Sequence, residues 1–261
     1  DSGGGDSGSG ISNGSLPGDD YTDGEPITDN DGNSYETVVI EGQTWTTTNL
    51  NVSTYRDGTP IPYISDFNEW NATSTGAYTY AGQDSESGYG KLYNAAAIIG
   101  RHDIDGATAN KILAPEGFHI PTTTEWSNLI YNYTNPTNFL WVSGNGTGNL
   151  NGYESDVASS FLKSQTSWDN NGNNESGLNL KNYPSIGSYV IYNNYNFYNV
   201  TSFGYTYFAV NQLVRYSVDE IWIQSVVVSD FTLDSVPVGC RNDGGNIGYT
   251  PGGLYVRLVK D

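Results

Sequence analysis

PEGFHIPTTTEWSNLIYNY, residues Pro115–Tyr133, holds a turn, a short extended run, a helix cap and an amphipathic helix in unbroken order. Pro115 and Gly117 make the turn, and Phe118-His119-Ile120 is extended until Pro121 removes a backbone donor and ends the run. Thr122 is a good N-cap, and Glu125 stands at the capping-box spacing, where each side chain satisfies a backbone amide of the other residue. Trp126, Leu129, Ile130 and Tyr133 fall at i, i+3, i+4 and i+7, which predicts a helix over Thr123–Tyr133 with one buried stripe. The rest of the chain is expected to pack around this unit.

Toward the N-terminus, Thr37–Ile40 and Gln43–Thr46 read as a hairpin around Glu41-Gly42, and Tyr55–Pro62 reads as a turn-rich loop. Leu92, Ala96 and Ile99 lie at helical spacing, so Gly90–Ile99 is expected to be the first helix. Toward the C-terminus, Pro136–Tyr153 reads as loop and Val157–Lys163 as a short third helix turning Val157, Phe161 and Leu162 inward. Ser164–Tyr189 is a long irregular region of Asn, Gly and Ser with Trp168 and Tyr183 interspersed. Tyr189–Tyr192, Tyr205–Val210, Ile221–Val228, Val236–Arg241 and Leu254–Val259 are β-branched and aromatic and read as strands. In the last of them Leu254, Val256 and Leu258 share one face, and Tyr255 and Arg257 the other. Helices early and strands late predict an α+β domain with a mainly antiparallel sheet, two or three helices and long irregular loops.

Ten basic against twenty-nine acidic residues leave a net charge of −19. Such a field repels phosphate backbones and anionic lipid surfaces, which argues against nucleic-acid binding and against electrostatic membrane binding. Charged residues are only 15% of the chain, and Tyr, Asn, Ser, Thr and Gly take their place, a composition suited to an extracellular protein. No apolar run is long enough to span a bilayer. Asp1–Ile27 is rich in Gly, Ser and Asp with little to bury, and is expected to be a flexible acidic tether ahead of a domain over residues 28–261. With no initiating Met or signal peptide before it, Asp1 is expected to begin a processed chain.

Few residues offer chemistry. Cys240 is the sole cysteine, so no internal disulfide and no cysteine-based metal site can form. Asp29-Asn30-Asp31-Gly32-Asn33 has the acidic alternation of a calcium loop, but lacks its glycine and terminal glutamate in register and reads as a turn. His119 and the His102 of Arg101–Asp105 are the only histidines; neither has a nucleophile-type context, and both are expected to be held by structural hydrogen bonds. Glu125 is a candidate acid that its capping role accounts for. No metal and no cofactor is expected. Binding has better support. Tyr189–Phe208 interleaves aromatics with Asn, Ser and Thr, giving flat apolar faces beside adaptable hydrogen-bonding groups. Tyr195 and Tyr198 in that run, with Trp168 and Tyr183 before it, are the candidate ligand-binding residues.

The opening stretch resembles the "P-x-G-W-H-V-P-T-x-x-E-W" core of the Fibrobacter succinogenes major paralogous domain, found in surface and secreted proteins of Bacteroidetes and Fibrobacteres. The likeness continues through Asp31–Pro62, Gly76–Tyr80, Tyr89–Ala97, Gly172–Tyr189 and Gly252–Asp261. Ile120–Ser127 is also similar to the "LPTEAEWE" segment of formylglycine-generating enzymes, which implies a C-type-lectin-like fold; the cysteine pair of those enzymes has no counterpart, nor do the calcium-dependent sugar-binding motifs of lectins. The resemblance implies a non-catalytic binding module for a glycan or a protein partner, surface-exposed at the cell outer membrane as a lipoprotein or secreted, with any membrane contact made through an N-terminal lipid anchor. A structural accessory subunit of an outer-membrane transport or secretion complex, and a polysaccharide hydrolase using Asp or Glu, are the alternatives.

Overall fold

The computed structural model describes residues 21–101, 111–132, 160–168, 171–181, 183, 205–216, 220–229, 233–241 and 252–261. In chain order the elements are β1 (Tyr21–Thr28), β2 (Ser34–Ile40), β3 (Gln43–Thr46), α1 (Phe67–Ala72), β4 (Tyr78–Thr79), β5 (Leu92–Tyr93), α2 (Ala95–Ile98), β6 (Phe118–His119), α3 (Thr123–Asn132), β7 (Tyr205–Tyr216), β8 (Glu220–Ser229), β9 (Leu233–Arg241) and β10 (Val259–Lys260). They form a sheet in the order β1-β2-β3-β10-β6, a β4-β5 pair and a β7-β8-β9 meander. Among the described residues the ladders between these strands are antiparallel, and the short helices make the domain α+β as expected.

The β2–β3 hairpin turns at Glu41 (φ 51) and Gly42 (φ 79). Two successive positive φ values define the turn whose twist matches that of paired strands. β1 corrects the extent of the expected tether. Tyr21–Ile27 pairs with β2 from Tyr21↔Ile40 onward, and the register slips between Gly24 and Ile27, where Pro26 has no N–H to give. Its side chains are mostly exposed, with Ile27 packed against the core, so backbone pairing makes most of this strand and no apolar alternation announces it.

α3 begins as its sequence dictates. Glu125 accepts hydrogen bonds from the Thr122 amide (2.7 Å) and hydroxyl (2.8 Å), and the Glu125 amide donates to Thr122 Oγ1 at 3.3 Å. Trp126 and Leu129 are buried; the side chains of Ile130 and Tyr133 lie outside the described residues. The turn before α3 is held by Arg56, whose guanidinium donates to the carbonyls of Ala114 (2.8 Å), Pro115 (2.7 Å) and Phe118 (2.8 Å).

The expected first helix is shorter than Gly90–Ile99. Leu92–Tyr93 is strand, and α2 starts only after Asn94, which caps it by accepting from the Ala97 amide at 2.8 Å. α1, capped by Asp66, has no counterpart among the expected helices. Residues 160–162 are helical, while the start of the expected third helix, the strand Tyr189–Tyr192 and the loop Pro136–Tyr153 lie outside the described residues. The predicted strands near Tyr205, Ile221 and Val236 correspond to β7, β8 and β9, each longer than its apolar run.

Residues 254–260 run through the middle of the molecule. Expected as one strand, the segment changes partner at almost every step. Leu254 pairs with Tyr93, Tyr255 accepts from the Ala209 amide, Val256 from Leu50, and Leu258 from Thr46, so a regular ladder survives only at β10. Leu254, Val256 and Leu258 enter one apolar cluster with Tyr93, Phe118 and Ile120. Tyr255 and Val259 enter another with Trp45, Trp126 and Phe208. The predicted alternation is therefore real, with both faces buried. Arg257 is buried with them; its guanidinium donates to the carbonyls of Thr46, Leu178 and Asn179 and lies 5.6 Å from the centre of the Phe208 ring.

Candidate functional site

The Asp29–Asn33 stretch is a turn, and its chemistry is spent internally. Asp29 Oδ1 accepts from the amides of Asp31 and Asn33, both at 2.9 Å, and Oδ2 accepts from Asn33 Nδ2 at 2.8 Å and the Tyr35 hydroxyl at 2.5 Å. Burial, with the Asp29 bond, pushes the Tyr35 phenol far up, so that it stays a donor. Tyr35 in turn accepts from the Asn51 amide at 3.0 Å. Asp31 takes the Ser53 amide and the Thr54 hydroxyl. Two carboxylates thus pin the loop that follows β3. Replacing Asp29 with Ala strands the buried Tyr35 hydroxyl and frees three half-buried donors, and is expected to lower stability by about 1–3 kcal/mol, read as a lower thermal midpoint.

Lys91 completes this network from the other side. Its ammonium donates to the Asn51 carbonyl at 2.6 Å and to Ser53 Oγ at 2.8 Å. Burial lowers the Lys91 pKa, and the charges of Asp31 and Asp29 oppose that loss. The same ammonium lies 4.7 Å from the ring centre of Tyr78 and 5.9 Å from that of Tyr80, where aromatic faces attract a cation.

Above Lys91 three tyrosines meet. Tyr63 and Tyr78 have ring centres 5.6 Å apart, Tyr63 and Tyr80 5.6 Å, and Tyr78 and Tyr80 5.8 Å. Tyr63 is 47% exposed; Tyr78 and Tyr80 are half-buried. The backbone under Tyr63 is fixed, because the Tyr78 amide donates to the Pro62 carbonyl at 2.9 Å and the Ile64 amide to the Tyr78 carbonyl at 3.0 Å. Tyr78 also pairs with Tyr93 in the β4–β5 ladder. The outcome is a rigid aromatic platform, half in water, fastened from below by a buried cation. Alternation in Gly76–Tyr80 could have put Tyr78 and Tyr80 on one face, but nothing local brings Tyr63 or Lys91 to them.

The residues singled out from the sequence lie elsewhere. Tyr195 and Tyr198 fall outside the described residues. Trp168 and Tyr183 are core residues, 4% and 5% exposed, because each ring fills interior space. Trp168 Nε1 donates to the Leu180 carbonyl at 2.8 Å, and the Tyr183 ring packs 5.0 Å from Tyr255. Tyr89, 37% exposed, covers Tyr183 at 5.4 Å.

His119 joins two carboxylates rather than backbone groups. Nε2 lies 2.7 Å from Glu125 Oε1 and Nδ1 lies 2.8 Å from Asp261 Oδ1. With both ring nitrogens engaged, neither is presented to a substrate as a base. Among the described residues no group of three or more His, Cys, Asp or Glu is placed to hold a metal ion, and no helix is long and apolar enough to cross a membrane.

No curated protein and no solved structure matches the chain. Residues 38–260 match the family model of the Fibrobacter succinogenes major domain. That match takes in the central helix, the tyrosine platform and the buried terminal segment together, and the protein belongs to the Fibrobacter succinogenes major domain family.

Proposed function

We propose that the protein is a non-catalytic binding module of the bacterial surface, and that Tyr63, Tyr78 and Tyr80 form its contact surface for a glycan. The observation that carries this reading is the mutual contact of three tyrosines around an exposed ring, with Lys91 against the rings of Tyr78 and Tyr80 from below. Sugars offer apolar C–H faces rimmed by hydroxyls. Tyrosine answers both, with a flat ring and a phenol, and a preordered ring loses little entropy on binding. The net charge of −19 favours neutral over anionic polymers. The family suggests a surface protein, and a Gly/Ser/Asp-rich N-terminal segment would space the domain from the outer membrane or accompany a secreted protein. A C-type-lectin-like form is our interpretation of the short helices, antiparallel sheet and pinned loops.

A glycan microarray probed with the labelled full chain tests the proposal. Neutral glycans are expected to retain the parent protein, and Tyr63→Ala to weaken retention about tenfold, equivalent to ~1.4 kcal/mol. Equal retention of parent and variant would move the site elsewhere. Capture of a cell-surface protein with no glycan signal would replace the ligand class.

A further inference from the structure

We propose that His119 is a proton-operated clamp, tying the Val259–Asp261 end of the central sheet to the first turn of α3 only while both ring nitrogens carry a proton. Glu125 Oε1 and Asp261 Oδ1 stand at 2.7 and 2.8 Å on opposite sides of the ring. Ionised carboxylates only accept, and a neutral imidazole has one N–H. A neutral His119 would therefore donate to one carboxylate and turn a lone pair toward the other. The imidazolium alone satisfies both.

The surroundings reinforce this. Glu125 is held in place by Thr122, whose amide and hydroxyl occupy Oε2, and by Gln43 of β3, whose amide donates to Oε1 at 3.0 Å. Asp261 is positioned by its own amide, which donates to the Gly117 carbonyl at 3.0 Å. In the ladder β10 sets Val259 beside His119 and Trp45, and Lys260 beside Phe118. The charged groups facing the imidazole are thus the carboxylates of α3 and of Asp261, with Lys260 adjoining Asp261 along the chain. The clamp joins β3, β6, β10 and α3 at one point, next to the segment that separates the two apolar clusters.

The pKa directions agree. Burial lowers the His119 value, but the bonds to Asp261 and Glu125 outweigh it and raise the value overall. Burial raises Glu125, and the Thr122 and His119 bonds more than reverse it. A raised histidine contributes stability that is complete below its unfolded value, about 6.5, and is lost as pH rises through its folded value. A depressed glutamate contributes above its unfolded value, about 4.3, and that is lost as pH falls through its folded value. The clamp is closed between the two folded values, opening on the alkaline side as His119 gives up a proton and on the acid side as Glu125 takes one.

Nitrogen-15 NMR of the full chain, in a His102→Gln background that leaves one imidazole, tests the inference. At pH 6.5 both His119 nitrogens are expected to show imidazolium shifts, with a midpoint above the ordinary histidine value, and Asp261→Asn should lower that midpoint. Thermal midpoints provide the second readout. The parent should lose on the order of 2–4 °C more than His119→Gln as pH rises from 6.5 to 9. A single neutral tautomer at pH 6.5, a midpoint at or below the ordinary value, or parallel melting profiles for parent and variant would overturn the clamp.

Discussion

Trp126→Ala is expected to remove about 3–5 kcal/mol of stability, the range for deleting a large buried aromatic side chain. Trp126 is fully buried and lies against Trp45, edge to face with centroids 5.0 Å apart, and against Phe208 at 6.0 Å. It also donates from Nε1 to the Ala209 carbonyl at 3.3 Å. Truncation therefore empties the joint between α3, β3 and β7, and leaves a buried carbonyl without that donor. Because the neighbours are themselves bulky rings on different elements, local collapse cannot close the void. Trp126→Phe should cost clearly less, since most of the ring volume remains. Urea denaturation reads the difference. A Trp126→Ala midpoint equal to that of the parent would mean that α3 does not organise the core.

Gly100→Ala is expected to be nearly as damaging, on the order of 3 kcal/mol, with left-handed strain and steric overlap both contributing. Gly100 has φ +79, and a Cβ there would come 1.8 Å from the Lys111 carbonyl oxygen and 2.7 Å from its carbon. Those atoms are backbone, and the Lys111 amide already donates to the Gly100 carbonyl at 3.1 Å, so neither strand of chain can step aside. Gly58→Ala supplies the comparison. Gly58 has φ +83 but no atom within 4 Å of the added carbon, which leaves only the conformational cost of about 1–2 kcal/mol. Equal losses for the two variants would show that the close approach of residue 100 to Lys111 is not a constraint.

What could be read from the sequence was local. The Thr122/Glu125 cap and the Trp126/Leu129 stripe are legible because helix starts and helix faces repeat at fixed spacings. The hairpin at Glu41-Gly42 and the alternation of Leu254–Leu258 are legible for the same reason. What the sequence hides is pairing at a distance. Tyr21–Ile27 becomes a strand by pairing with the edge of β2. Gly90–Ile99 has a helical period, but Asn94 accepts from the Ala77 and Ala97 amides and starts the helix late, while Tyr93 is taken by Tyr78 and Leu254. Composition drew attention to Trp168 and Tyr183, yet an aromatic residue in an irregular, Asn-rich stretch can serve as the core that fixes that stretch. The platform was missed for the converse reason. Tyr63, Tyr78, Tyr80 and Lys91 come from three separate segments, and only the Pro62–Ile64 bracket around Tyr78 and the Asn51–Ser53 seat for the ammonium bring them together.

Asp29 and Asp31 beside the platform are committed to amides and hydroxyls, and the one described histidine is committed to two carboxylates. Side chains held this firmly suit display, where a ring must already occupy its bound position.

Affinity electrophoresis through gels containing neutral polysaccharides distinguishes display from cleavage, comparing the full chain with the Tyr63→Ala/Tyr80→Ala double variant and staining the gel afterwards for intact polymer. At least one polysaccharide is expected to retard the parent, the variant to run free, and the polymer to remain whole along the track. Identical retardation of the two proteins, or a cleared zone behind the parent, would contradict display by the platform.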